Sequence, residues 1–332
     1  MTVGTTLPRA ALARSCSGGR VPGVWKARSV ATPTAKSGEV RDLAALLDLE
    51  ELDRDLFRGR NADHGEPRFS LYGGQVAAQA LRAASLTVDA GRRAHSLHGY
   101  FLRPGQPDHP VIFSVDRDRD GGSFSARHVR AVQHGEVIFS MLASFKVPEE
   151  AKAIEFSNAK TVPAPDELTP SGWDALVETR QITGRSIHGH EVTDSVWCRV
   201  ATSMPEDPAV HACALVYISD YGGGFVMQDV PGLPLGGPSI DHVLWFHQAV
   251  RVDEWVHLDL QPERASDARG TYGGTIRALD GTLAAVLGQE CLLRPPSPPG
   301  TRDQGETKFG RPANKGTSPP AGPGSVTGSA SG

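Results

Sequence analysis

Residues 93–147 and 239–293 alternate apolar and polar positions with period two, and each stretch follows a segment of helical period. In the first, Gly73-Gly74 precedes an Ala-rich segment at residues 75–86. Ala77, Ala78, Ala80, Ala83 and Ala84 surround it, which predicts a helix pressed against neighbours on most sides. Strands are predicted at 95–103, 111–117, 123–132 and 137–147, with turn residues at Asp120-Gly121-Gly122 and His134-Gly135. In the second, Asp207-Pro208 reads as an N-cap followed by proline at the first helical position. Val210, Cys213, Ala214 and Tyr217 then recur at i, i+3, i+4 and i+7, and Gly222-Gly223-Gly224 offers a C-cap. Strands follow at 239–250, 255–264, 268–278 and 282–293, the last two joined at Asp280-Gly281.

The two series share one order. Their closing hairpins superpose with an offset of 146, placing Gly135 on Gly281, Val137 on Leu283 and Phe145 on Cys291. One helix followed by antiparallel strands, twice over, is α+β. A sheet wrapped around its own helix and paired with its copy is a double hotdog. The expected organisation is a disordered leader (1–40), an N-terminal hotdog (41–148), a linker (149–190), a C-terminal hotdog (191–294) and a disordered Pro/Gly/Ser-rich tail (295–332). The linker carries Pro163, Pro165 and Pro170, and a helix is expected around 173–180.

Composition narrows the class of protein. The 332 residues carry a formal charge of -4, without the basic surplus that nucleic-acid or anionic-lipid binding calls for. No apolar run is long enough to span a bilayer. Cys16, Cys198, Cys213 and Cys291 form no CxxC pair, which argues against a disulfide scaffold or Cys-rich zinc site and for a reducing compartment. Residues 1–38 hold six basic residues and no acid, the composition of a flexible leader or of a mitochondrial transit peptide. A cytoplasmic location is expected, with a mitochondrial one as the alternative.

Several stretches resemble the N-terminal half of the acyl-CoA thioesterase II family. They are Phe57-Arg58-Gly59, Tyr72-Gly73-Gly74-Gln75, His95-Ser96-Leu97-His98, Tyr100-Phe101-Leu102-Arg103-Pro104-Gly105, Asp120 to Arg127, and Ala143-Ser144-Phe145. Ser219-Asp220, Ser239-Ile240-Asp241-His242, Trp245-Phe246-His247, Ala268-Arg269-Gly270, Gln289-Glu290 and Arg294 resemble its C-terminal half. The resemblance covers roughly residues 42–294, in order. It implies a double hotdog that hydrolyses acyl-CoA to free acid and CoA without a cofactor or metal. It also implies a water held by an Asp, a Thr or Ser, and a Gln, which fall on Asp220, Ser239 and Gln289. Relatives of this architecture commonly pair again, which leaves a homo-oligomer open.

Each residue has a plain reading beside the chemical one. Asp220 ends the second helix on the flank of its buried stripe, where it serves as a general base or as an ordinary helix-terminal carboxylate. Gln289 alternates in register with Leu283, Ala285, Leu287, Cys291 and Leu293, so it is a buried amide that holds a water or pairs with backbone. Ser239 positions a water or caps the strand entry; extended geometry turns His242 to the opposite face, against a local Ser–His pair. Gly73-Gly74 presents free N–H groups at a helix start, either for a developing oxyanion or merely for close packing. His95 and His98 face opposite sides of a strand and read as structural, and His188-Gly189-His190 reads as linker.

Two rivals remain. A hydratase adding water to an unsaturated acyl-CoA resembles an Asp-x-Asn-Pro-Leu-His pattern, against Glu206-Asp207-Pro208-Ala209-Val210-His211 here. A non-catalytic acyl-CoA binding module is the other; Ala143 stands where the second half has Gln289, but the second half keeps its polar positions.

Overall fold

The period-two stretches form strands that bury one face, and the Ala-rich segment forms the helix beneath them. The computed structural model describes residues 40–62, 70–157, 159–171, 174–182, 185–187, 190–192, 195–221 and 237–294. The leader up to residue 39, the tail, the 222–224 cap, and His188 and Gly189 lie outside the described residues.

The first half comprises α1 (Leu43–Leu46), β1 (Glu50–Asp53), β2 (Leu56–Gly59), α2 (Gly73–Ser85), β3 (Arg93–Phe101), β4 (Val111–Asp120), β5 (Phe124–Gln133) and β6 (Glu136–Lys146). After a 3-10 turn at Pro165–Glu167 come β7 (Val177–Ile182), β8 (Arg185–Ile187), β9 (His190–Val192) and β10 (Ser195–Val200). The second half continues with α3 (Pro208–Ser219), β11 (Asp241–Phe246), β12 (Val256–Ser266), β13 (Arg269–Ala278) and β14 (Leu283–Leu292).

The helix expected around 173–180 is not there. Val177–Ile182 is strand β7, antiparallel to β10 with Val177 opposite Val200 and Ile182 opposite Ser195. Helix-forming Ala175 and Leu176 lead into it, but alternation at Val177–Arg180 and a free sheet edge outweigh local propensity.

Apart from the β8–β9 ribbon, the described strands form one antiparallel sheet in the order β1-β2-β4-β5-β6-β3-β11-β14-β13-β12-β10-β7. The order is palindromic about the β3–β11 seam, where Leu97 lies opposite Leu244. Pairing each strand with its mirror partner sets β3 on β11, β6 on β14 and β5 on β13. The 146-residue offset appears in the turns: Gly135 and Gly281 both adopt positive φ, at 79° and 88°.

α2 packs on the inner face of β2–β6 and against α3. All five alanines named above are 0% exposed, so the helix meets neighbours around most of its girth. α3 is apolar nearly all round, with Val210 to Ser219 buried except Ala212. The start of α2 meets the end of α3: the Tyr72 hydroxyl donates to the Tyr217 carbonyl at 2.9 Å. A Cβ on Gly74 would stand 2.6 Å from that carbonyl oxygen, so only glycine fits.

Candidate active site

Asp220, Ser239 and Gln289 converge, although 69 positions separate the first from the last. Asp220 is the C-cap of α3, with φ -89° and ψ 6°. Ser239 precedes β11 and bridges Cys291 of β14. Gln289 lies on the buried face of β14, 3% exposed. The Gln289 amide Nε2 donates to Asp220 Oδ1 at 2.8 Å and to Ser239 Oγ at 2.5 Å. The Ser239 hydroxyl donates to the same Oδ1 at 3.2 Å. Oδ1 thus takes two donors, and both amide protons of Gln289 are used.

Oδ2 turns toward the other half. A Cβ on Gly73 would lie 2.7 Å from it, so the carboxylate abuts the first residue of α2. The α2 N-cap, Tyr72, makes no side-chain cap, which leaves the first N–H groups of the helix free of one. Nearby, burial and then the charge of Asp220 raise the pKa of Tyr72 well above the usual phenol value. It therefore stays a protonated donor.

His242 is the residue that the sequence reading missed. It is 0% exposed, and its Nδ1 donates to Gln289 Oε1. Its Nε2 lies 2.7 Å from Ser219 Oγ. An amide oxygen only accepts, so Nδ1 carries the proton and Nε2 offers its lone pair to the Ser219 hydroxyl. Burial pulls the pKa of His242 below the ordinary histidine value, against the opposing pull of Asp220. The neutral imidazole fixes which way the Gln289 amide points: oxygen toward His242, nitrogen toward Asp220 and Ser239.

No direct bond joins Ser239 to His242, but the parity argument that set them apart fails. Ser239 bridges Cys291 while Val243 pairs with Gly288, so four steps along one strand match three along the other. That bulge brings His242 beside Gln289. β3 repeats it, with Ala94 opposite Phe145 and Leu97 opposite Ala143.

The remaining sequence features fall elsewhere. Asp207 caps α3, accepting from Ala209 N at 2.9 Å, which accounts for Asp207-Pro208 without hydratase chemistry. His95 bonds Ser144 Oγ at 2.8 Å, and His98 packs edge-on to Trp245. Burial pushes the Cys291 thiol up to about 11, so it stays neutral beside Ser239.

Two helix-wrapped half-sheets joined edge to edge, with a polar cluster where one helix ends and the other begins, define a double hotdog. The model of the acyl-CoA thioesterase N-terminal domain matches residues 62–146, and that of the C-terminal domain matches 148–293. Acyl-coenzyme A thioesterase 8 of Homo sapiens is 32% identical over 291 residues, covering 77% of this chain and 91% of the relative. Acyl-CoA thioesterase 2 of Haemophilus influenzae is 31% identical, with 77% of this chain and 98% of the relative covered. The crystal structure of an acyl-CoA thioesterase II, TesB2, from Mycobacterium marinum superposes with a TM-score of 0.66 at 36% identity, covering 77% of this chain and 99% of that one. The chain belongs to the acyl-CoA thioesterase II family, a family of thioester hydrolases.

Proposed function

We propose that this protein hydrolyses acyl-CoA by direct attack of a water that Asp220, Ser239 and Gln289 hold, with no acyl-enzyme. The observation that carries the reading is the division of labour on Asp220: Oδ1 is held by Ser239 and Gln289, while Oδ2 faces the start of α2. In this scheme the water donates one hydrogen to Oδ2 and the other to the remaining lone pair of Ser239 Oγ. Its own lone pair is left to point at the thioester carbonyl carbon. As the C–O bond forms, Asp220 takes the first proton as general base. The carbonyl oxygen gains charge next to the N–H groups of Gly73 and Gly74. The tetrahedral adduct then collapses: the C–S bond breaks, the sulfur leaves with its electron pair, and the proton on Asp220 passes to it. The products are free acid and CoA thiol.

His242 acts through Gln289. With Oε1 held by the imidazole, the amide presents both hydrogens to the base and to the serine. A flipped amide would set its oxygen against the carboxylate, two acceptors face to face.

Thiol release from acyl-CoAs of varied chain length tests the activity. Hydrolysis in 18O-water, with mass spectrometry of protein and product, tests the route. Label in the free acid and an unmodified protein are expected; an acyl adduct on Ser239 would overturn direct attack.

A further inference from the structure

The mirror symmetry of the sheet gives the catalytic cluster a counterpart. Leu86 C-caps α2 as Asp220 C-caps α3. Ala94 pairs with Phe145 as Ser239 bridges Cys291. Ala143 holds the place of Gln289, and Leu97 that of His242. The start of α3, with Asp207 and Pro208, takes the part that Gly73 plays at the start of α2. One helix length separates the two places, about 20 Å at 1.5 Å per residue.

The counterpart is open. A cavity of about 870 Å³ sits there, lined among others by Leu86, Ala94, Phe145, Pro208, Leu215 and Phe246. Phe246 is itself the mirror of Phe101, whose ring lies 3.0 Å from a Cβ built on Gly73. The floor is apolar: Phe145 is 1% and Leu215 2% exposed. The rim is charged. Arg82 faces Asp207 at 3.7 Å, Arg92 faces Asp89 at 3.6 Å, and Lys146 pairs with Glu149 at 2.6 Å. Arg93 also lines the cavity, is exposed, and pairs with no acid among the described residues.

We propose that this second cavity binds a CoA thioester without cleaving it: acyl chain on the Leu215–Phe145–Phe246 floor, phosphates toward the Arg93 and Lys146 rim. The inference rests on the acyl-CoA reading of the first site, because symmetry transfers the ligand class. The volume falls within the range of sites for organic ligands of this kind. Hydrolysis is absent because base, hydroxyl and amide are replaced by Leu86, Ala94 and Ala143. The cavity survives because the mirrored helix ends and bulged strand still frame it.

An S-alkyl-CoA thioether, which water cannot cleave, is the probe. Isothermal titration is run on the native chain, on Ala212→Trp, which places an indole in the second cavity, and on Arg93→Glu. Two equivalents per native chain, one for Ala212→Trp, and a second-site affinity weakened roughly fivefold by Arg93→Glu are expected. Circular dichroism and thermal melting check that each variant is folded. One equivalent for native and Ala212→Trp alike overturns the second site and leaves the first standing. Two equivalents for a folded Ala212→Trp overturn its location. No binding to either overturns the acyl-CoA reading together with this inference.

Discussion

The two halves share one scaffold and differ in what they place where the end of each helix meets the bulged strands. The C-terminal half carries Asp220, Ser239, Gln289 and His242; the N-terminal half carries Leu86, Ala94, Ala143 and Leu97 at matching positions. Burial does not distinguish the strand positions, where Ala143 is 2% and Gln289 3% exposed and Leu97 and His242 are both 0%; only the helix cap differs, Leu86 being exposed and Asp220 half-buried. Sheet, bulge and helix cap form equally well around either set. Burying an amide and an imidazole costs free energy that burying Ala and Leu does not, and only their mutual hydrogen bonds offset it. The polar set is therefore not what the fold needs. Ser219 supports the distinction from the other side. It corresponds to Ser85, and each hydroxyl oxygen lies 2.8 Å from a carbonyl of its own helix, Val216 and Leu81, with the one Ser219 proton shared between that carbonyl and His242 Nε2. The carbonyl contact belongs to the scaffold, whereas the contact of Ser219 with His242 is peculiar to the second half.

Making the polar corner resemble the apolar one grades its members. Asp220→Asn should lower thiol release by at least ~100-fold through loss of the base, with little change in melting temperature. A rate within a few fold of native would show that the carboxylate is scaffold. Gly73→Ala forces the Asp220 carboxylate or the α2 start to move, because the new methyl would sit 2.7 Å from Oδ2. A loss of roughly 10- to 100-fold in kcat is expected from that misplacement, read by steady-state kinetics at saturating acyl-CoA. His242→Leu copies Leu97 and frees the Gln289 amide to turn. kcat should fall by about tenfold with KM little altered, and His242→Asn, whose amide nitrogen can stand in for Nδ1, should recover part of the loss. Equal losses in the two variants would mean that the imidazole only fills space.

The smallest expected effect is on stability against pH. The folded-state pKa of His242 is lowered by burial, and those of His257 and His211 are lowered in the same direction, also by burial. The unfolded chain takes up protons near the free histidine value of about 6.5, and the folded chain does not. Stability is then fully present above that pH and declines as pH falls toward the lowered folded-state values. Melting temperatures between pH 7.5 and 5 should show the decline, and His242→Leu should show a smaller one; identical pH curves would place the protonation elsewhere.

Much of this was legible in the residues. Alternation and turn chemistry marked β4, β5, β6, β12, β13 and β14 to within a few positions, and Asp207-Pro208 marked the start of α3. Gln289 was legible because it interrupts an apolar face. β7 was not, because its pairing with β10 is non-local and the residues before it favour helix. His242 was hidden by a bulge, which no period-two count detects: one inserted residue reverses which side chains share a face. The approach of Gly73 to Asp220 was out of reach for another reason. The glycines announced a close contact, but its partner lies 147 positions away and is set only by how two helices cross.

That contact has a wider consequence. In the proposed mechanism the base comes from one duplicate, and the peptide dipoles beside it come from the other. Expressed alone, the C-terminal duplicate would keep Asp220, Ser239, Gln289 and His242 yet lack the start of α2 that abuts the Asp220 carboxylate. The duplication is thus not redundancy: each copy is an incomplete subunit of a heterodimer that happens to be one polypeptide. Mixing the separated fragments should restore turnover only when they reassociate along the β3–β11 seam.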